Sequence, residues 1–162
     1  VDHLTLSPKP PSSGDETRAE QVIECLARTG WAAVKIVVFD TNVVDLTDYA
    51  DDPVETLMRV QLGGGTDIAQ AVRYCAQLVE NPHRTVLVLV TDFCEGAPPG
   101  ELVRAVKKLA EARVKLLGLA SLDAEANPVY DRAMAERLAA CGMEIAALTP
   151  QRLAHWLVKV IS

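Results

Sequence analysis

Two short stretches carry the side chains best suited to chemistry. Residues 61–72 read QLGGGTDIAQAV, three glycines leading into Thr66, Asp67 and a pattern of helical period. Residues 85–92 read TVLVLVTD, in which Asp92 directly follows a continuous apolar run. A hydroxyl and a carboxylate are hard oxygen donors of the kind a magnesium ion accepts in near-octahedral geometry while giving up its waters reluctantly. Thr66 and Asp92, directly or through water, would supply such an ion with oxygen but little negative charge. It would then want one more anionic ligand, and a carboxylate from another protein can provide it. The glycines suit this role because they let backbone approach closely and tolerate positive φ.

Other chemistries fit these residues less well. A P-loop needs Lys and then Ser or Thr after its last glycine, whereas Gly65 is followed by Thr66 and Asp67. The dinucleotide fingerprint fails at Ile68, where its third glycine should stand. There is no GxSxG elbow. Cys25, Cys75, Cys94 and Cys141 form no CxxC pair, and His3, His83 and His155 show no HExxH spacing, so neither a zinc site nor a redox dithiol is expected. The plain alternative is a glycine turn with Thr66 or Asp67 as an ordinary helix cap and Asp92 as a solvated strand end.

The elements that position these residues follow from periodicity. VKIVVF at 34–39, TVLVLV at 85–90 and VKLLGLA at 114–120 are apolar runs too short for helices, and they read as strands buried on both faces. Asp40, Thr41 and Asn42 turn the first of these into VVDL, which predicts an antiparallel edge strand. MEIAAL is the last strand. Helices are expected over 16–29, after Pro53 through about Val60, along the stripe Ile68, Ala71, Val72, Cys75 and Val79, across 102–110, over 133–141, and from Pro150 onward. Tyr130 and Asp131 sit where helix initiation explains them, and Asp123, after the third buried strand, reads either as lining the same crevice as Thr66 and Asp92 or, in preference, as a turn residue. The alternation predicts an α/β fold: a doubly wound, mostly parallel, Rossmann-like sheet with one antiparallel edge strand. A single domain over 1–162 is expected, with 1–15 an irregular or incomplete first strand and loop. In such sheets ligands sit outside the carboxyl ends of the strands, where Thr66 and Asp92 would meet.

Composition narrows the partners. A net charge of −6 leaves no electrostatic footprint for nucleic acid. The apolar runs are too short to span a bilayer and no leader opens the chain, so no membrane partner and a cytoplasmic location are expected.

On the stretches VVFDTNVVDLTD, QLGGGTDIAQAVRYC, TVLVLVTDFCEG and AACGMEIAALTPQRL, the chain from about residue 34 onward resembles a von Willebrand factor A (VWA) domain, in particular the bacterial CoxE-like branch. The resemblance implies a metal-ion-dependent adhesion site built from three loops, with Thr66 and Asp92 matching two of them. It implies a bound magnesium or other divalent cation, an acidic side chain of a partner protein as ligand, and no catalysis. It also implies work beside a MoxR-type AAA+ ATPase in complex assembly or metalloenzyme maturation. The third loop, Asp-x-Ser-x-Ser at the end of the first strand, has no intact counterpart. Asp2, with Thr5 and Ser7 beyond it, stands nearest, and its spacing differs by an insertion. Either the first strand lies upstream of Val1, or LTLS is a shortened strand with a rebuilt loop at Ser12, Ser13 and Asp15. Two alternatives stay open: a metal-free, degenerate VWA scaffold, and a small α/β metal-dependent hydrolase using Thr66, Asp67 and Asp92.

Overall fold

The short apolar runs pair into one sheet, and the amphipathic stretches between them lie against it. The computed structural model describes residues 2–8, 33–45, 47–49, 65–120, 127–147 and 152. Among these the strands are β1 Asp2–Pro8, β2 Ala33–Phe39, β3 Val43–Asp45, β4 Thr85–Thr91, β5 Lys115–Ala120 and β6 Glu144–Ala146. Their order is β3-β2-β1-β4-β5-β6. β3 runs antiparallel to β2, and every other neighbouring pair is parallel. The α-helices are α1 Ile68–Leu78, α2 Pro99–Glu111 and α3 Arg132–Ala140. This is the doubly wound α/β fold with an antiparallel edge that the alternation predicts.

β1 lies at the centre, between β2 and β4. From it the chain winds outward to β2 on one side and returns to β4 on the other. The β1–β4 boundary is therefore the point where strand order reverses, and its carboxyl-end crevice is the expected ligand position. LTLS falls inside β1, the central strand. The proposed loop residues Ser12, Ser13 and Asp15, the helices expected over 16–29 and 53–60, the final helix apart from Arg152, and Asp123 lie outside the described residues.

Burial follows the sequence pattern. Leu87, Val88 and Leu89 in β4 have no exposed surface, as a strand covered on both faces requires. α1 buries Ile68, Ala69, Ala71, Val72 and Cys75, α2 buries Leu102, Val106 and Leu109, and α3 buries Met134, Ala135 and Leu138. Gly118 in β5 makes room for the residue that follows Asp92. A Cβ there would lie 2.6 Å from Ile145 Cδ1 and 3.0 Å from the ring tip of Phe93.

Polar ties lock α1 over the edge hairpin. Lys35 Nζ of β2 donates to the Leu78 carbonyl at 3.2 Å, placing a cation at the negative end of the helix. Tyr74 Oη donates to Asp45 Oδ2 at 2.9 Å, and the Thr47 amide donates to Asp45 Oδ1 at 2.9 Å. Burial pushes the Asp45 carboxyl up, but hydrogen bonds from Thr47 and Tyr74 and the charge of Lys35 outweigh it and hold it below its ordinary value. The hydrogen bond to Asp45, with partial burial, pushes the Tyr74 phenol up.

A carboxyl that titrates lower folded than unfolded stabilises fully above its ordinary range and loses that contribution as pH falls through the folded value. Tyr74→Phe is therefore expected to lower the unfolding free energy by about 1 kcal/mol at neutral pH, the discounted value of a partly solvated bond to a carboxylate. Urea unfolding at successively lower pH should find the gap between wild type and variant narrowing as Asp45 protonates.

Candidate functional site

The start of α1 poses a problem of unsatisfied donors. The first four N–H groups of a helix have no intrahelical partner, and here the chain finds acceptors for its opening turn on two different loops. Asp67, the N-cap, accepts from the Gln70 amide at 2.8 Å. The Ile68 and Ala69 amides donate instead to Glu95, one to each carboxylate oxygen, at 3.1 and 2.9 Å. Glu95 lies 27 residues further along the chain, in the loop after β4. Its Oε1 also accepts from the Ala97 amide at 3.1 Å, which folds that loop back on itself. An anion at a helix N-terminus is favoured by the macrodipole as well as by these bonds.

Beside this clamp the two loops touch backbone to backbone. The Gly96 amide donates to the Thr66 carbonyl at 2.9 Å. A Cβ on Gly96 would lie 2.5 Å from that oxygen, so only glycine fits. Gly65 has a φ of +97°, and a Cβ there would lie 2.8 Å from the Thr41 methyl. The bare backbone before Thr66 thus meets a steric need at Gly65, whereas Gly63 and Gly64 lie outside the described residues. A third loop joins after β2, where the carbonyl of the fully buried Asp40 accepts from the Asp67 amide at 2.7 Å.

Asp92 is aimed by its neighbours. Phe93 adopts a left-handed φ of 59° and is wholly buried, packing edge-on against Tyr130 with ring centroids 6.2 Å apart. That turn sends Phe93 inward under the rim. Cys94 donates its amide to Asp92 Oδ1 at 2.9 Å, and the Asp131 amide, at the cap of α3, donates to the Asp92 carbonyl at 2.8 Å. The Asp131 carboxylate in turn accepts from the Met134 amide at 3.0 Å, confirming the helix start read from the sequence. Among the described residues, nothing donates to Asp92 Oδ2 and nothing engages the Thr66 hydroxyl. Both residues are half-buried. Partial burial and the negative charges of Asp92 and Asp131 push the Cys94 thiol up, which disfavours the thiolate, the attacking form.

The fastened loops bring Thr66 and Asp92 to the same carboxyl-end rim. Ser7, opposite Val38 near the end of β2, stands at the rim end of β1. Thr5 is mid-strand, opposite Ile36 and Val88, and Asp2 is opposite Ala33 and Thr85, the first residues of β2 and β4. Asp2 is therefore at the wrong end of the sheet, five strand residues or roughly 16 Å from Ser7, and the reading that grouped it with Thr66 and Asp92 is corrected. Thr5 is likewise set back from the rim. Among the described residues, no group of three or more His, Cys, Asp and Glu side chains is arranged to hold a metal. A cation at this rim would rest on Thr66 and Asp92 among the described residues. Sequence reading missed Glu95 and Gly96. Their signal is the acidic-glycine pair two residues past Phe93, in a loop already marked by the strand-end aspartate.

Comparison with known proteins accords with this geometry. A family model described as "VWA domain containing CoxE-like protein" matches residues 21–157. "Uncharacterized protein YehP" of Escherichia coli (strain K12) is 50% identical over 135 residues, covering 83% of this chain; the chain spans 36% of the length of that relative. Among solved structures, an aerotolerance-related membrane protein from Bacteroides fragilis superposes with a TM-score of 0.74 at 14% identity, covering 99% of this chain and 98% of that one. Manganese-loaded TRAP protein of Plasmodium vivax superposes with a TM-score of 0.70 at 14% identity, covering 100% and 72%. At that identity the two likenesses speak for the fold alone.

Removing the clamp leaves buried donors without acceptors. Glu95→Ala is expected to lower the unfolding free energy by about 1–3 kcal/mol, measured by urea denaturation. Glu95→Gln should cost less, since its amide oxygen still accepts from the helix start.

Proposed function

The chain belongs to the CoxE-like family of VWA domains, and on that premise we propose that its interaction surface is the carboxyl-end rim, acting through a divalent cation to hold an acidic side chain of a partner protein. VWA domains are protein-interaction modules; the cation and the acidic ligand are the added reading. One observation carries it. Thr66 and Asp92, on loops joined by the Gly96–Thr66 bond, leave a hydroxyl and a carboxylate oxygen free of protein hydrogen bonds among the described residues. Thr66 and Asp92 would be the ligands, and Ser7, at the rim end of β1 by register, is the candidate third. A magnesium ion there would supply a positive charge that these few ligands leave underneutralised, ready for an outside carboxylate. The Plasmodium vivax neighbour is manganese-loaded, which supports a divalent cation in this fold. A MoxR-type AAA+ ATPase is the working partner that the family resemblance favours, in assembly or metal loading of another enzyme. A cytoplasmic setting suits the free thiols of Cys75, Cys94 and Cys141; among the described residues no helix is long and apolar enough to cross a membrane.

We propose no catalytic role. A phosphoryl-transfer site of this layout would draw on the N–H groups at the start of α1. Two of those already donate to Glu95, so the helix end is plugged by the protein's own anion. A metal-free scaffold is the second reading, and one feature favours it: the rim end of β1 reads Ser7-Pro8, with no carboxylate at that strand end.

Calorimetric titration with magnesium or manganese chloride distinguishes these. Wild type should bind the ion, and Asp92→Ala or Thr66→Ala should weaken binding by about tenfold or more with an unchanged circular dichroism spectrum. Partner capture that persists undiminished in chelator would favour the metal-free scaffold. Phosphoester turnover lost in Asp92→Ala would restore the hydrolase.

A further inference from the structure

On the helical layer, away from the rim, α1 and α2 leave a groove of about 560 Å³ between them. Its interior is apolar, lined by Ala76, Val79 and Pro82 on one side and by Leu109 and Val114 on the other. Val79 and Pro82 precede β4, and Val114 precedes β5. The groove therefore runs along the helical layer, from Glu101 near the start of α2 to Val79, Pro82 and Val114 at the amino ends of the strands.

The edges of the groove carry Arg73, Arg104 and Lys108, and its acidic member is Glu101. Glu101 bonds both guanidinium groups, Arg73 at 3.1 Å and Arg104 more closely. Lys108 forms no ion pair with a described residue. On a chain of net charge −6 this is a locally positive strip around an apolar slot. The Glu101 bonds hold the two guanidinium heads at the rim of the slot, which reduces the ordering cost of engaging them.

Shape selects among possible occupants. α2 lines the groove from Glu101 to Ala112, which at helical rise is about 16 Å of continuous wall. A slot walled by two helices along that length suits a third helix better than a compact small molecule. Helix-in-groove recognition uses a narrow apolar stripe at i, i+3, i+4 and i+7, and the small Ala76 allows close approach. We infer that this groove receives an amphipathic helical segment of a partner protein, its apolar stripe over Ala76 and Leu109 and its carboxylates facing Arg73, Arg104 and Lys108. The inference is independent of the rim site.

The test uses two fluorescein-labelled synthetic helical peptides with the same leucine stripe, one flanked by glutamates and one by lysines. Fluorescence anisotropy should find saturable binding of the glutamate peptide, weakening as salt is added. Arg104→Glu combined with Lys108→Glu should weaken it roughly tenfold or more and confer binding of the lysine peptide. Lys108→Glu alone, at an exposed position with no ion pair among the described residues, serves if the double variant loses its circular dichroism spectrum. Asp92→Ala should leave the affinity unchanged. Failure of the glutamate peptide to saturate, equal affinity for both peptides, or indifference to charge reversal would overturn the inference. Occupancy of the groove by sodium decanoate with neither peptide binding would also overturn it, in favour of a site for a small amphiphile.

Discussion

Two amide groups at the start of α1 need acceptors, and the chain supplies them with a carboxylate from the far side of β4. The arrangement at the rim depends on that single reach. Glu95 could accept these bonds only if its own loop were brought against the residues before Ile68, and once there the Gly96 amide finds the Thr66 carbonyl. A helix cap and a loop–loop junction are thus formed by the same few atoms. The junction is what brings Thr66 and Asp92 to one rim, because neither residue hydrogen-bonds the other's side chain among the described residues.

Burial beneath the rim completes the placement. A left-handed backbone at a residue with a side chain costs on the order of 1 kcal/mol, and Phe93 adopts one at φ 59°. The ring gains a fully buried position between β5 and Tyr130, in space that exists because Gly118 has no side chain. Strain at Phe93 and the missing side chain at Gly118 are two parts of one solution. Together they turn the chain sharply after Asp92, whose carbonyl then accepts from the Asp131 amide and whose carboxylate accepts from the Cys94 amide. Interaction modules of this kind need a stiff rim, since every group that is ordered in advance is one that the partner need not order.

Local pattern was enough to read the sheet and the amphipathic helices from the sequence, because period and run length are properties of adjacent residues. The antiparallel β3, the stripe on α1 and the cap at Asp131 were legible for that reason. What escaped were features set by distant pairing. Asp2 carries the right functional group, yet which end of β1 it occupies depends on register with β2 and β4, and register placed it beside Ala33 and Thr85. Glu95 looked like a loop residue because its partners are far along the chain. Asp40 read as a turn former, which it is, but its complete burial and its bond to the Asp67 amide reflect packing among three loops. Thr66 and Asp92 stood out by residue type and position, and the family resemblance matched them to two of its three loops without an equivalent for the third.

The α1–α2 groove runs along the helical layer, lined by residues other than those of the rim loops. At the rim the account rests on one claim: loops fastened by Glu95 and Gly96 present Thr66 and Asp92 to a common ligand. Paramagnetic manganese, titrated at low concentration while backbone amide signals are followed by NMR, tests it directly. The expected result is early, selective loss of the signals of Gly65 to Asp67 and of Asp92 to Gly96, with those of Val79, Val114 and Lys115 at the opposite end retained. Broadening of only one of the two loops, or none that distinguishes the two ends of the sheet, would contradict it.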